Sequence, residues 1–357
     1  MFTPFAFFQT SIPTIQNNSR LITTNGGATG ANVRYIDLTP SDLPASIIST
    51  TASFPRRLGN FGGAAYSADQ QRVVVFHNAG GGRNDLISFS NDYGINWSVG
   101  TFSSRQARGG LYVSPWSKWA GFGLTGSGSP FTGQMFDSTD GRTFTLRQSF
   151  TSTNIYFSHS AYSSTLDILV AANAGTATKN CCYWTKDATT WYAGTFSGTS
   201  FNPNEAPVLW QGGNNLFLCG RNGTTNANSF AISSDGKLWD PITATGISPI
   251  GAAVVPLAMA HNPRTGRTIV GLFSGNVSGN VIYYSDNGGY NWTLAPVAAA
   301  TYYLESARYD SNTNTFVIGT RYFATAAQGF FMSKDGVNWT FYNQLNAGVP
   351  SAFMTLP

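Results

Sequence analysis

The sequence predicts an all-β protein of short antiparallel strands, and three observations carry that expectation. The chain of 357 residues holds 39 glycines and 16 prolines, which interrupt it too often for long helices and suit strands joined by tight turns. Hydrophobic residues make up 42% and aromatic residues 14%, ample for a core and far above what an unfolded chain carries. One motif returns six times at nearly constant spacing, the signature of an array of equal units.

Composition also excludes whole classes of function. Only 10% of residues are charged, less than half the roughly 25% usual in soluble domains, so Gly, Ser, Thr and Asn must build the surface. The formal net charge of +4 comes from scattered basic residues, which form no patch to track a phosphate backbone, and nucleic acid is not expected as a partner. Cys181, Cys182 and Cys219 lack metal-ligand spacing and cannot form a disulfide framework; they read as small buried strand residues, with no metal and no cofactor expected. Met1 to Phe8 is apolar but lacks a basic leader, and Pro4 and Pro13 interrupt it, so it does not read as a signal peptide. No apolar run approaches a membrane span, and no membrane insertion is expected.

The repeat is read first at Ser90-Asn91-Asp92-Tyr93-Gly94-Ile95-Asn96-Trp97, which fits S-x-D-x-G-x-x-W. Shorter or degenerate copies follow. They are Ser138, Asp140, Gly141 and Phe144; Thr185, Asp187, Ala188 and Trp191; Ser233, Asp235, Gly236 and Trp239; Ser285, Asn287, Gly289 and Trp292; and Ser333, Asp335, Gly336 and Trp339. Taking the Asp, or Asn287, as marker, the copies are 48, 47, 48, 52 and 48 residues apart. The chemistry is local: hydroxyl and carboxylate bond within a hairpin turn, Gly supplies a positive φ, and the aromatic ring packs beside the next strand.

This pattern resembles the Asp-box, or BNR, repeat of sialidases, sortilin-type receptors and other β-propellers, over most of the chain. The resemblance implies architecture strongly and function hardly at all. Four strands fit each period, as a propeller blade requires. Counting back from each marker gives a column near the end of each first strand, read as Tyr66, Val113, Tyr162, Leu209, His261 and Tyr309. Second strands follow at Val73 to Phe76, Trp119 to Leu124, Leu166 to Ala171, Leu216 to Cys219, Thr268 to Leu272 and Phe316 to Ile318. Third strands precede each motif, and fourth strands begin at its aromatic residue.

Six complete repeats then occupy about 61–343. Residues 17–53 and 350–357 supply the remaining strands, with Arg20 to Thr24, Val33 to Leu38 and Ile47 to Thr51 from one end and Ser351 to Thr355 from the other. A seventh blade built from three N-terminal strands and one C-terminal strand would close the disc without a free edge; six blades with an appendage are the alternative. Residues 1–16 form an N-terminal arm outside the propeller at 17–357. It either folds back over the disc or docks into a neighbour, since Phe2, Phe5, Phe7 and Phe8 would otherwise face water.

Loops between second and third strands share one face with the inter-blade links, and propellers bind there or in the central funnel. Those loops, for example Asn78 to Asp85 and Thr125 to Thr132, are mostly Gly, Ser, Thr, Asn and Ala. The sialidase resemblance implies three arginines on a ligand carboxylate, a Tyr nucleophile with a Glu, and an Asp acid/base. The expected Arg-Ile-Pro signature is replaced by Phe54-Pro55-Arg56-Arg57-Leu58, and only Glu205 and Glu305 are present. No catalytic residue is assigned. Arg83, Arg105, Arg108, Tyr156, Arg221, Tyr302, Tyr303 and Arg321 are the candidate binding residues. His77, His159 and His261 form no cluster, and Trp116, Trp119, Trp184 and Trp210 read as packing residues before sugar platforms.

These features match proteins of tailed-phage particles in style. The expectation is a non-enzymatic virion component, in a tail fibre, tail or capsid decoration, that assembles with other virion proteins or copies of itself and touches host-surface glycans. The alternatives are an extracellular or cell-surface glycan-binding propeller of a bacterium and a divergent sialidase-like exo-glycosidase.

Overall fold

In the computed structural model the described residues are 19–26, 32–38, 52–53, 60–78, 87–104, 106–125, 132–150, 155, 157–173, 182–198, 207–220, 230–247, 254–274, 281–297, 302–322, 328–344 and 349–356. They contain no α-helix, only strands and one three-residue 3-10 turn at Ser114–Trp116. The predicted N-terminal arm and the loops joining second to third strands lie outside them.

The described strands form four four-stranded sheets, an eight-stranded sheet made of two antiparallel groups of four joined by a parallel pair, and a five-stranded sheet in which Thr195–Phe196 joins an antiparallel group of four in parallel. Within the six groups that carry the motif, strands neighbour one another in chain order, as hairpin connections dictate. The innermost strands are Asn60–Ser67, Gln106–Val113, Phe157–Ser163, Val208–Gln211, Val254–His261, Tyr302–Asp310 and Val349–Leu356. Each packs beside the next, and the last packs beside the first. The groups, numbered as blades in that order from Asn60–Ser67 to Val349–Leu356, therefore follow one another around a common axis.

Blade seven pairs the two ends of the chain. Val349–Leu356 lies antiparallel to Ser19–Gly26, which pairs with Asn32–Leu38, and Val33 pairs with Ala52. Its outermost described strand is Ala52–Ser53; Ile47 to Thr51, expected in that place, falls outside the described residues.

Strand pairing also corrects the repeat column. The residues opposite the motif's Ser or Thr on the second strand are Val73, Trp119, Leu169, Phe217, Thr268 and Phe316. Their first-strand partners are Tyr66, Tyr112, Tyr162, Trp210, His261 and Tyr309. Val113 and Leu209 were each one residue off, because a one-residue slip moves a side chain to the other face of the sheet. The true column is aromatic or imidazole throughout.

Four of the first-to-second turns are closed by a side chain. The residue after the column caps the turn: Gln70 N donates to Ser67 Oγ, Leu166 N to Ser163 Oγ, Arg264 N to Asn262 Oδ1 and Thr313 N to Asp310 Oδ2. Five residues past the column the backbone turns left-handed, at Gln71, Ser117, Asp167, Asn215, Gly266 and Asn314.

The six motif turns share a second bonding scheme. Ser or Thr hydroxyls donate to the Asp, or to Asn287, at 2.7–3.0 Å. Backbone N–H groups of Gly94, Gly141, Ala188, Gly236, Gly289 and Gly336 donate back to those hydroxyls at 2.8–3.1 Å. Trp191, Trp239, Trp292 and Trp339 donate their indole N–H to the carbonyl three residues earlier. The first and fifth turns carry one extra residue, so their Gly N–H reaches back four positions and not three.

The core is distributed along blade-to-blade seams. Val74, Phe76, Phe102, Ala107 and Trp119 fill the seam of blades one and two, and Ala172, Cys182, Phe217, Cys219 and Trp239 that of blades three and four. Val317, Phe330 and Met332 meet Leu38 of blade seven. Each such large side chain contributes about 1.5–3 kcal/mol by burial. Polar links add to the seams: Thr101–Phe102 pairs in parallel with Thr143–Phe144, and Thr195–Phe196 with Leu238–Trp239. A cation at the start of the second strand also reaches the main-chain carbonyl of the motif Asp in the following blade, as Arg72 does to Asp140 and Lys118 to Asp187.

Candidate functional site

Of the candidate binding residues, Arg83, Arg105, Tyr156 and Arg221 lie outside the described residues. Tyr302 and Tyr303 are on the inner strand of blade six, and Tyr303 pairs with Arg321 on the second strand. Arg108 is on the inner strand of blade two, half-buried. The structure thus brings Tyr303 and Arg321 together in register and places Arg108 on another blade.

The tryptophans considered as sugar platforms are engaged in packing. Trp119 is fully buried, and its indole N–H donates to Gln70 Oε1 at 3.0 Å. Trp116 donates to Asp167 Oδ1 at 2.7 Å and meets Tyr162 edge-on. Trp210 lies against Phe217, its cross-strand partner. Trp184 stacks on Tyr192 at 4.7 Å while Lys237 Nζ sits 4.7 Å from its ring, a cation–π contact across two blades.

The histidines are also held in the framework. His77 Nε2 shares a hydrogen bond with Ser88 Oγ at 2.9 Å, and His261 Nδ1 shares one with Thr268 Oγ1 at 3.0 Å. Burial pushes His77 down to about 3 and His159 and His261 down to about 4, since a charged imidazole is poorly tolerated away from water. All three are neutral at pH 7. Arg308 occupies a column that is Ala65, Leu111, Ala161, Leu209 and Ala260 in the other motif-bearing blades. Burial lowers its pKa, and the Asp310 carboxylate opposes that shift.

One backbone feature gathers residues around the axis. The inner strands of blades one, two, three, five and six each shift register against the second strand near the same point. The residues four positions before the aromatic column are Gly62, Arg108, Ser158, Leu257 and Glu305, and each falls in its strand's shift. The closing strand shifts as well, opposite Thr23 to Asn25. A β-bulge adds one residue, bends the strand and re-aims a side chain. The bulges were missed in the sequence because neither glycine nor charge recurs at them; only counting back from the corrected column finds them.

Among the described residues, no group of three or more His, Cys, Asp or Glu is placed to hold a metal ion, and no helix is long and apolar enough to cross a membrane.

Among solved structures, the chain is similar to a protein from Lactobacillus plantarum with a TM-score of 0.66 at 9% identity, covering 95% of this chain and 100% of that one. It is similar to a candidate 6-phosphogluconolactonase from Bacteroides uniformis, TM-score 0.63 at 10% identity, covering 96% and 100%. It also resembles the Dos1 propeller, TM-score 0.50 at 12% identity, over 82% of this chain and 75% of that one. No protein-family model matches the chain, and no curated protein does. At such identities the likeness concerns the fold, and the chain has the all-β architecture of a β-propeller.

Proposed function

We propose that this propeller, whose turns we read as Asp-boxes, is a non-enzymatic component of a virion, in a tail fibre, tail or capsid decoration, and that its circumference contacts neighbouring subunits. The observation that supports this is a column on the outermost strands. Two residues after the motif's aromatic position stand Val99, Leu146, Ala193, Pro241, Leu294 and Phe341, apolar in every case. Five of them are exposed, with Leu294 at 53% and Leu146 at 42%. Tyr192 and Leu238 add to the same strands at 51% each. A scattered exposed Leu is ordinary, but an apolar column repeated around a rim is a surface suited to being covered.

Charge supports the reading too. The motif carboxylates, Arg72, Lys118 and Arg267 all bond within or between blades, which serves rigidity. An antibody raised against the purified chain tests the assignment: it should label particles purified from the culture that encodes the protein. Replacing Leu146 and Leu294 with Ser should lower the amount in those particles while the chain stays folded. Label found only in the particle-free fraction would overturn the reading.

A further inference from the structure

In the fifth motif turn Asn287 stands where the others carry Asp92, Asp140, Asp187, Asp235 and Asp335; it is exposed and followed directly by Gly288. Simple tolerance explains the amide. Asn287 Oδ1 accepts from Ser285 Oγ at 3.0 Å and from Asn291 N at 2.9 Å, as Asp92 Oδ1 accepts from Ser90 Oγ and Asn96 N at 2.7 and 2.8 Å. Tolerance does not explain the glycine beside it. Tyr93 fills that position in the first turn, which has the same length, at φ 57° against 80° for Gly288, so the turn accepts a side chain there.

The contacts of Asn287 make its side-chain amide an electrophile. Two donors on Oδ1 fix that atom as the oxygen and leave Nδ2 as the group able to depart. They also sit where negative charge gathers when a nucleophile adds to Cγ, at about the 2.7–3.1 Å that stabilises such an oxyanion. The nucleophile is the next main-chain nitrogen. Gly288 N–H donates to no acceptor among the described residues, and glycine has no side chain to obstruct the approach of its nitrogen to Cγ. The sequence has two other Asn-Gly pairs. Asn25 lies opposite Asn32 and Pro350, and Gly26 opposite Val349, in a strand paired on both sides that holds the backbone extended; Asn222 and Gly223 lie outside the described residues.

We propose that Asn287 is a self-processing site, at which the fifth turn converts its own amide into the carboxylate that the other five turns carry. The Gly288 nitrogen gives up its proton and bonds to Asn287 Cγ, the Cγ–Nδ2 bond breaks, and ammonia leaves with that proton, so a cyclic imide remains. Water then opens the imide. Opening between Cγ and the nitrogen gives Asp, whereas opening at the main-chain carbonyl carbon gives isoaspartate, whose backbone runs through Cγ and is one atom longer. That longer path would pull Gly289 N from Ser285 Oγ, to which it donates at 3.0 Å, so the fold favours Asp. The product matches Asp92, whose Oδ2 takes Asn96 Nδ2 at 2.7 Å; Asn291 holds the position of Asn96 in the fifth turn. The reaction consumes only water and does not depend on what the outer rim contacts.

The test incubates the full chain in mildly alkaline buffer over days and follows each Asn-Gly peptide by mass spectrometry, with isoaspartate separated from Asp. Asn287 should show the mass gain of amide to acid, mostly as Asp, well ahead of Asn25. Conversion should be faster in the folded chain than in the same chain held unfolded in urea. Ser285→Ala, which removes one donor from Oδ1, should slow it by about three- to tenfold, the opposite of the acceleration that a merely loosened turn would bring. Ser285→Thr, the residue type at Thr185, should keep the rate. Asn287→Asp should melt at or above the parent. Where Ser285→Ala does not fold, the comparison with urea still decides. No conversion at Asn287, slower conversion folded than unfolded, isoaspartate as the main product, faster conversion in Ser285→Ala, or a lower melting temperature for Asn287→Asp would overturn the proposal.

Discussion

The guanidinium of Arg267 donates to the main-chain carbonyl of Asp335, 68 residues away in the next blade, at 2.7 Å. The same side chain holds both carboxylate oxygens of Asp286 at 2.7 Å and lies 4.8 Å from the Tyr284 ring. It therefore ties the second strand, the third strand and the following blade's turn at one point. Arg72 and Lys118 repeat the reach to Asp140 and Asp187 at the same sequence distance, within one residue.

Arg267→Met should lower unfolding free energy by about 1–2 kcal/mol, the range for one charge-assisted hydrogen bond and a partly exposed cation–π contact. Chemical denaturation reads the loss, and most of it should persist at high salt because the carbonyl bond is not screened as an ion pair is. A loss below about 0.3 kcal/mol would remove the link from the list of stabilising features.

Ala188 is the one motif corner of its type that is not glycine: it holds φ at 60° with its Cβ buried, where Gly141, Gly236 and Gly336 hold 64°, 73° and 75°. A left-handed L-residue costs about 1–2 kcal/mol. Ala188→Gly should accordingly leave stability within about 0.5 kcal/mol of the parent, the relieved strain offsetting lost burial and added chain entropy. The reverse change, Gly236→Ala, should cost more than about 1 kcal/mol, since its Cβ would sit 2.9 Å from Val170 Cγ2. Equal losses from the two substitutions would contradict the account.

Gly246 follows a blade-to-blade link in which Thr245 N donates to Tyr290 O and Trp292 N donates to Thr245 O, at 2.8 and 2.9 Å. Its φ is 80°, and a Cβ there would fall 1.9 Å from Trp292 O. Backbone cannot yield as a flexible side chain can, so Gly246→Ala should destabilise by about 3 kcal/mol or more. Hydrogen exchange should show the Trp292 amide losing protection first.

Acid should unfold the protein in two stages. For the motif carboxylates, burial raises the pKa, but backbone N–H groups with the Ser or Thr hydroxyl outweigh it, bringing Asp335 down to about 2 and holding Asp92, Asp140, Asp187 and Asp235 below their usual value. A depressed carboxylate stabilises the fold above its unfolded value near 4 and loses that contribution as pH falls through its folded value, about 2 for Asp335. The histidines act earlier. Their folded values near 3 and 4 lie below the unfolded value of about 6.5, so the unfolded chain takes protons first and stability falls from pH 6.5 toward 4. His261→Gln should flatten the upper stage and Asp335→Asn the lower one; unchanged pH profiles would refute the assignment.

Much of the architecture was legible because it rests on neighbours in sequence. Ser90, Asp92 and Gly94 form one turn within five positions, so the motif could be read and the all-β propeller expected from it. The first-strand column was legible at four of its six positions: Tyr66, Tyr162, His261 and Tyr309 were placed correctly, whereas Tyr112 and Trp210 were displaced by one because apolar neighbours Val113 and Leu209 satisfy the same local pattern. Of the candidate site, Arg108 could be named as an arginine able to approach the axis. Its position on a bulge could not, because a bulge is a mismatch between two strands and exists only when both are paired.

The sequence by itself determined the repeating unit, its period and the corner chemistry, since those depend on hydrogen bonds among residues a few positions apart. Tertiary structure alone decided which cation meets which carbonyl across a seam, where Val349–Leu356 joins Ser19–Gly26, and that Gly62, Arg108, Ser158, Leu257 and Glu305 share one level around the axis. Those relations join segments tens to hundreds of residues apart. They are fixed by strand register and the closure of the inner strands around the axis, which no local pattern encodes.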